Sequence, residues 1–292
     1  MIGLGAMGRQ LAKHLVNAGY PLVVYDVRTE ATEALVSLGA IAANSPKELG
    51  KQVEIVLLMV NSFSQCKDCL LGTDGLLAGM KQGILVVLST IAPDEVKMLG
   101  ACCVEGGIEL LDSPVSGGTK GAAEGSLTVM SAGKDAVFAD CLPILQSFGS
   151  KIVKVGNEIG QGQSVKAVNQ LLVGVHMVAM AEAMALGAKS GVDPEIIFDV
   201  VKSSSGTSRI FESRVPSVMN RDFSTRSTLS IQLKDIDISV RAADSVKAPA
   251  FLSIVCRELF KLAEAKFDKD EDSSAIVKLY EELGGGRVER LK

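Results

Sequence analysis

The sequence contains no tryptophan and only two histidines, and aromatic residues make up 4% of it. Its cores must therefore be built from Val, Leu, Ile, Ala and Met, for which an apolar fraction of 47% over 292 residues is ample. The shortage of histidine narrows the chemistry as well, because a histidine base has to be His14 or His176. Excess positive charge is also missing: a net charge of −4 gives no reason to expect nucleic acid or an acidic membrane surface as a partner. Met1 leads straight into a glycine loop, without the basic and apolar regions of a secretory signal. The most membrane-like run, Leu171 to Leu186, carries His176 and Glu182 and reads as a core helix, so no membrane is expected.

The six cysteines form no disulfide framework. Cys102 and Cys103 are adjacent and Cys141 and Cys256 isolated, which suits reduced thiols in a cytoplasmic compartment. Cys66-x-x-Cys69 lacks the second ligand pair or thioredoxin-like context that a metal or redox reading needs, and reads as two positions on one helix face. Asp268-x-Asp270-x-Asp272 has the start of a calcium loop, but Ser273 stands where glycine is required and Leu279 where the acidic twelfth ligand belongs. A helix entry capped by Asp272 or Ser273 is expected there instead, and no metal site anywhere.

What is present is an ordered alternation. Strands are predicted over Pro21 to Asp26, Val53 to Val60, Ile84 to Thr90, Ile108 to Asp112, Leu127 to Ala132 and Ile152 to Val155. Helices fall between them, over Thr29 to Leu38, over Phe63 to Leu70 and after Pro93, so the pattern is one of βαβ units and a mostly parallel sheet. After Gly160 the strand signal ends, and 161–190, 194–202, 207–219, 228–246, 249–267 and 273–283 read as helices. The expected class is α/β: a Rossmann-type domain over 1–157 and an all-α substrate and dimerisation domain over 158–292.

Two sites are written out in the N-terminal half. Gly3-Leu4-Gly5-Ala6-Met7-Gly8 is G-x-G-x-x-G, in which the glycines permit a tight turn, close approach of a pyrophosphate, and packing of helix on strand. A helix over Ala6 to Ala18 would offer its first amides to the phosphates. Asp26 ends the following strand eighteen residues after Gly8, where a carboxylate binds ribose hydroxyls. Its charge favours NAD over NADP, although Arg28 could hold a 2′-phosphate. The second site is Ser116-Gly117-Gly118, a turn at a strand end whose amides and hydroxyl suit an anion such as a carboxylate. Ser89 and Thr90 also sit at a strand end, where open α/β sheets bind ligands.

A third stretch, Gly160 to Gly191, is a long helix without proline. Lys166, Asn169 and Gln170 share a face of its first turns. From the helix alone, Lys166 is either a snorkelling surface lysine or one driven toward neutrality by burial and the helix N-terminus.

Taken in order, GLGAMG at Gly3, STIAP at Ser89, DSPVSGGTKGAAEGSL at Asp112, GQGQSVKAVNQ at Gly160 and LKDID at Leu233 resemble the β-hydroxyacid dehydrogenase family, the 3-hydroxyisobutyrate dehydrogenase-like proteins, over nearly the whole chain. The resemblance implies a C-terminal domain like that of 6-phosphogluconate dehydrogenase. It also implies Lys166 as the catalytic lysine, Ser116, Gly117 and Gly118 on the substrate carboxylate, Lys234 at nicotinamide and substrate, and Thr90 at the cofactor. Val60 and Asn61, at the end of their strand, are assigned to the cofactor with Thr90. Most of the family has asparagine four residues after the lysine; here Gln170 stands there, with Asn169 at plus three. Gln170, QLLVGVHMVAMAEAMAL, TSRIFESRV and DEDSSAIVKLY are similar to the L-threonate dehydrogenase branch.

The expected activity is therefore NAD-dependent oxidation of the secondary alcohol of a small hydroxy acid, with Lys166 as acid/base and Asn169 and Gln170 orienting it. A lysine serves as base near neutral pH only if its pKa falls from about 10.4 toward 7–8. The alternatives are 3-hydroxyisobutyrate dehydrogenase, a tartronate or succinic semialdehyde-type reductase, and a non-catalytic NAD-binding module, against which Lys166, Lys234 and Ser116 argue. A homodimer or homotetramer is implied. Only Met1 and Ile2 precede Gly3, so the first strand is read as truncated, which suggests a module of a longer polypeptide that would gain stability if extended upstream.

Overall fold

In chain order the N-terminal part runs α1 (Gly8–Asn17), β1 (Val23–Val24), α2 (Thr29–Val36), β2 (Ile41–Ala42), α3 (Pro46–Gly50), β3 (Ile55–Leu58), α4 (Phe63–Leu71), α5 (Leu76–Gly79), β4 (Ile84–Val87), α6 (Pro93–Gly106), β5 (Glu109–Asp112), β6 (Val115–Ser116), α7 (Gly118–Glu124), β7 (Leu127–Ala132), α8 (Asp135–Gln146) and β8 (Gly149–Gly156). Then come α9 (Gln161–Lys189), α10 (Pro194–Lys202), α11 (Arg209–Met219), α12 (Leu229–Ser245), α13 (Phe251–Lys266), a 3₁₀ turn (Ser273–Ile276) and α14 (Val277–Glu282). This is a computed structural model, and it describes residues 1–224 and 226–290. The chain divides into two compact units, Met1–Lys166 and Ala167–Lys292.

In the first unit the apolar runs form the sheet. β3, β4 and β5 pair in parallel, with Ile55 opposite Ile84 and Ile84 opposite Glu109. Successive side chains of a strand point to opposite faces, so Leu57, Val86 and Leu111 enter one core and Val56, Leu58, Leu85 and Val87 another. Only Ile2 stands in the place of the first strand, with one parallel bridge to Tyr25 and one to Leu58. It joins the β1–β2 pair to the larger sheet.

The sheet is mostly parallel, as expected, and becomes mixed around β7. β5 meets β7 antiparallel at Asp112 and Ala132, β6 pairs β7 antiparallel, and β7 pairs β8 in parallel. Between Asp112 and Leu127 the chain turns at Pro114, whose carbonyl accepts from Met130 N–H, and at two glycines; a reversal of this kind pairs strands antiparallel. The strands and helices expected from sequence are present, most with one or both ends displaced by up to three residues; β8 runs longer than expected, and 273–283 divides into a 3₁₀ turn and α14. The short elements α3, α5, α7, β2 and β6 and the longer α8 had not been read.

The named elements of the second unit are all helices among its described residues. Met177, Met180, Ala181, Met184 and Ala185 of α9 pack with Phe211 and Val215 of α11, Ile236 of α12 and Phe260 of α13. By length and composition α9 could cross a membrane, yet these five side chains lie in a protein core. Cys66, on α4, is likewise a core residue with Cys69 packed beside it, and all six cysteines are free thiols. Ser208 and Thr228 cap α11 and α12.

Asp272 gathers the end of this unit together. It accepts from the backbone of Arg226, Ser227 and Ser274 and from the side chains of Arg214 and Ser274, and it is almost wholly buried. It is the helix-entry cap expected in place of a calcium ligand. Removing one partner of a buried network leaves the others unpaired, so Asp272→Ala is expected to lower stability by about 3–5 kcal/mol, measured by urea denaturation.

Candidate active site

The glycine loop has three different environments. Gly3 has φ +89°, and a Cβ on it would lie 2.2 Å from the carbonyl oxygen of Met59. A Cβ on Gly8 would lie 2.0 Å from the carbonyl oxygen of Gly3, so both must be glycine for the loop to close. Gly5 faces open space, with nothing within 4 Å of a Cβ position. That is the face a pyrophosphate approaches in a loop of this kind. α1 begins at Gly8 rather than Ala6, although Arg9 N–H already bonds the Gly5 carbonyl.

Asp26 is tied to this loop. Its Oδ2 accepts from Leu4 N–H at 2.7 Å, and its Oδ1 accepts from Arg28 N–H at 3.0 Å and Arg28 Nε at 3.2 Å. Burial pushes its pKa up, but those hydrogen bonds and the Arg28 charge outweigh it and hold the carboxyl below its ordinary value. Arg28 is therefore engaged with Asp26 rather than standing as an isolated surface charge.

The strand ends are latched together. Val60 N–H donates to Ser89 Oγ at 2.8 Å, and this buried hydroxyl donates in turn to the Leu58 carbonyl at 3.4 Å. Asn61 N–H bonds Gln65 Oε1 within the capping box that opens α4, and its side chain is exposed, as Thr90 is in part. Gln163, in the first turn of α9, donates from Nε2 to the Ser89 carbonyl at 2.9 Å and accepts at Oε1 from Ile91 N–H at 3.2 Å. Asp112, at the end of β5, accepts from Gly160 N–H at 3.0 Å and Gln163 N–H at 3.1 Å.

Ser116 closes β6, and Gly117 and Gly118 follow with φ of +138° and +62°. Such φ values are open to glycine and strained for residues with a side chain, so both positions call for glycine. A Cβ on Gly117 would press on Leu127 at 2.8 Å, whereas Gly118 faces open space. The α7 helix that follows is fixed at its far end by His14, whose Nε2 lies 3.0 Å and 3.2 Å from the carbonyl oxygens of Ala122 and Ala123. His14 is thus a structural histidine.

Lys166 is buried, with 5% of its surface exposed, so it does not snorkel. Within the second unit, Gln170 is also buried and its amide is oriented at both ends. Nε2 donates to Asp235 Oδ2 at 2.6 Å, and Oε1 accepts from Asn169 Nδ2 at 2.8 Å. Lys234 Nζ lies 3.1 Å from Asp235 Oδ1. Asp235 was not singled out from sequence, yet it is the buried carboxylate that brings Asn169, Gln170 and Lys234 into one network. Its only signal was an acid beside Lys234 in the LKDID stretch inside α12.

Residues 1–156 match the family model of the NAD binding domain of 6-phosphogluconate dehydrogenase. Residues 160–280 match that of the NAD-binding domain of NADP-dependent 3-hydroxyisobutyrate dehydrogenase. L-threonate dehydrogenase of Cupriavidus necator is 37% identical over 96% of this chain and 95% of its own. NAD-dependent L-serine dehydrogenase of Pseudomonas aeruginosa is 34% identical over 97% and 98%. A crystal structure of 3-hydroxyisobutyrate dehydrogenase from Salmonella typhimurium superposes with a TM-score of 0.87 at 33% identity, covering 95% of this chain and 98% of that one. With a glycine loop shaped for a dinucleotide and both halves matched in order, the chain belongs to the β-hydroxyacid dehydrogenase family, the NAD(P)-binding enzymes related to 3-hydroxyisobutyrate dehydrogenase.

Proposed function

We propose that the chain oxidises the secondary alcohol of a four-carbon sugar acid, L-threonate, with NAD, and that Lys166 takes the hydroxyl proton. The observation that carries this reading is the near full-length similarity to L-threonate dehydrogenases, joined to glutamine rather than asparagine four residues after the lysine. When bound, NAD accepts the hydride; this chain's residues bind, orient and move the proton. The neutral amine of Lys166 accepts the proton from the substrate oxygen as the carbon–hydrogen bond breaks, and returns it in the reverse direction. Asn169 and Gln170 orient that oxygen. Ser116, Gly117 and Gly118 would hold the substrate carboxylate, and Lys234 would supply a positive charge to nicotinamide and substrate. Gly3 to Gly8 and Asp26 hold the adenosine half of the cofactor, with Val60, Asn61 and Thr90 along the remainder.

An Asp26 kept ionised by Leu4 and Arg28 repels a 2′-phosphate, which supports NAD over NADP. The exposed apolar side chains of Val168, Leu172 and Leu186 on α9 and of Phe251, Leu252 and Val255 on α13, with Phe251 80% exposed, support a homodimer or homotetramer joined through the helical unit. Six free thiols suit a cytoplasmic location.

The reading is tested by following NADH absorbance with L-threonate, D-erythronate, 3-hydroxyisobutyrate and glycerate in parallel, where L-threonate should give the highest kcat/KM. Best turnover of 3-hydroxyisobutyrate or glycerate would replace L-threonate, and silence on all four with no NAD binding by calorimetry would remove the catalytic reading. Lys166→Ala should lower kcat by about 10²–10⁴-fold with NAD affinity preserved. Asp26→Ala should weaken NAD about tenfold and shift the NAD/NADP preference toward NADP; an unchanged preference would count against its role.

A further inference from the structure

Asp112 takes no part in the roles assigned above, and its surroundings are unusual for a carboxylate. It ends β5 with no exposed surface. One oxygen, Oδ2, accepts the Gly160 and Gln163 amides at the head of α9, while Oδ1 is buried without a hydrogen-bond partner. The fit is close: a Cβ on Gly162 would lie 2.9 Å from Asp112 Cγ and 2.8 Å from its carbonyl oxygen. With the Gln163 side chain bonded to Ser89 and Ile91, the ends of β4 and β5 together grip one helical turn. Lys166 is the next residue but two after Gln163.

We propose that Asp112 is a positioning residue, held as a buried anion so that the first turn of α9, and Lys166 with it, is fixed to the strand ends. This rests on Lys166 as the proton-transfer group. For holding two amides alone, a neutral acceptor would do, without the cost of burying a charge. That cost is legible. Burial drives the Asp112 pKa up from 3.8 to about 6, against hydrogen bonds from Gln163, Gly160 and Gly162 that pull it down. Because the folded value exceeds the unfolded one, the native chain binds the extra proton between them; this contribution to stability is complete below pH 3.8 and lost as pH rises through about 6. No charged side chain is among the causes of the shift. The charged groups on the elements packed there are Asp94, Glu95, Lys97 and Glu105 of α6, Asp135 and Asp140 of α8, Glu109 of β5 itself and Lys166 of α9; of these, Lys97 has its Cε against Gly160.

Asp112→Asn keeps an acceptor for both amides and removes the charge. Thermal unfolding of parent and variant is compared at about pH 5 and about pH 7.5, and Lys166 modification by trinitrobenzenesulfonate is followed by peptide mass spectrometry with exposed Lys13 as internal standard. The melting temperature of the variant relative to the parent should rise by several degrees between the two pH values, and the Lys166 labelling rate should change by about threefold or more while Lys13 is unaffected. A difference in melting temperature that does not move with pH, or Lys166 labelled at the parental rate, overturns the proposal. Should Asp112→Asn fail to fold, Asp112→Ser is judged by the same two measurements. Labelling needs no turnover, so failure of the dehydrogenase reading would appear in the substrate panel and failure of this one in the labelling.

Discussion

The hydrogen bonds at the head of α9 are the constraint on which the rest of the N-terminal unit depends. A helix begins with amides that its own backbone cannot satisfy. Here Gly160 and Gln163 give theirs to Asp112, and the Gln163 side chain in turn satisfies a carbonyl and an amide of the segment after β4. Two parallel strands and the start of a long helix thus share one set of polar partners, buried where a misplaced partner would leave several groups unsatisfied at once. The sheet gives the helix its starting point, and the helix in turn fixes the ends of the strands.

The same economy appears around the glycine loop. Gly3 and Gly8 are required by backbone lying about 2 Å from where a side chain would begin, and Asp26 is required by the Leu4 amide it accepts. Each of these residues settles its neighbour's conformation while leaving the face of Gly5 open. The loop is built by exclusion around Gly3 and Gly8 and by the Leu4 hydrogen bond to Asp26.

Much of this was legible in the sequence because it is local. G-x-G-x-x-G and a strand ending in an acid lie within one βαβ unit, and the helical half shows its period directly. What escaped reading is tertiary. Asp112 was seen as the start of a serine–glycine motif, because nothing in one sequence says that Gly160 and Gln163 return to it. Asp235 was overlooked for the same reason, sixty-five residues from Gln170. Helix α8 buries Val137, Cys141 and Leu145 at four-residue spacing, but Pro143 inside it breaks the signal. The antiparallel β6–β7 pairing is decided by a turn whose strand is two residues long, too short for any period to register.

The network of Asn169, Gln170, Asp235 and Lys234 has a consequence for how such a chain can change over evolutionary time. Gln170 spans Asn169 and Asp235 with opposite ends of one amide, a reach that depends on the extra methylene it has over asparagine. Shortening it alone would leave the Asp235 carboxylate without that donor and release Asn169, so an isolated exchange would lose more than a contact. Divergence at this position is therefore epistatic: residues 169, 170 and 235 form a unit of inheritance, and a new side chain at 170 becomes accessible only through a lineage, or a library, in which the other two vary with it.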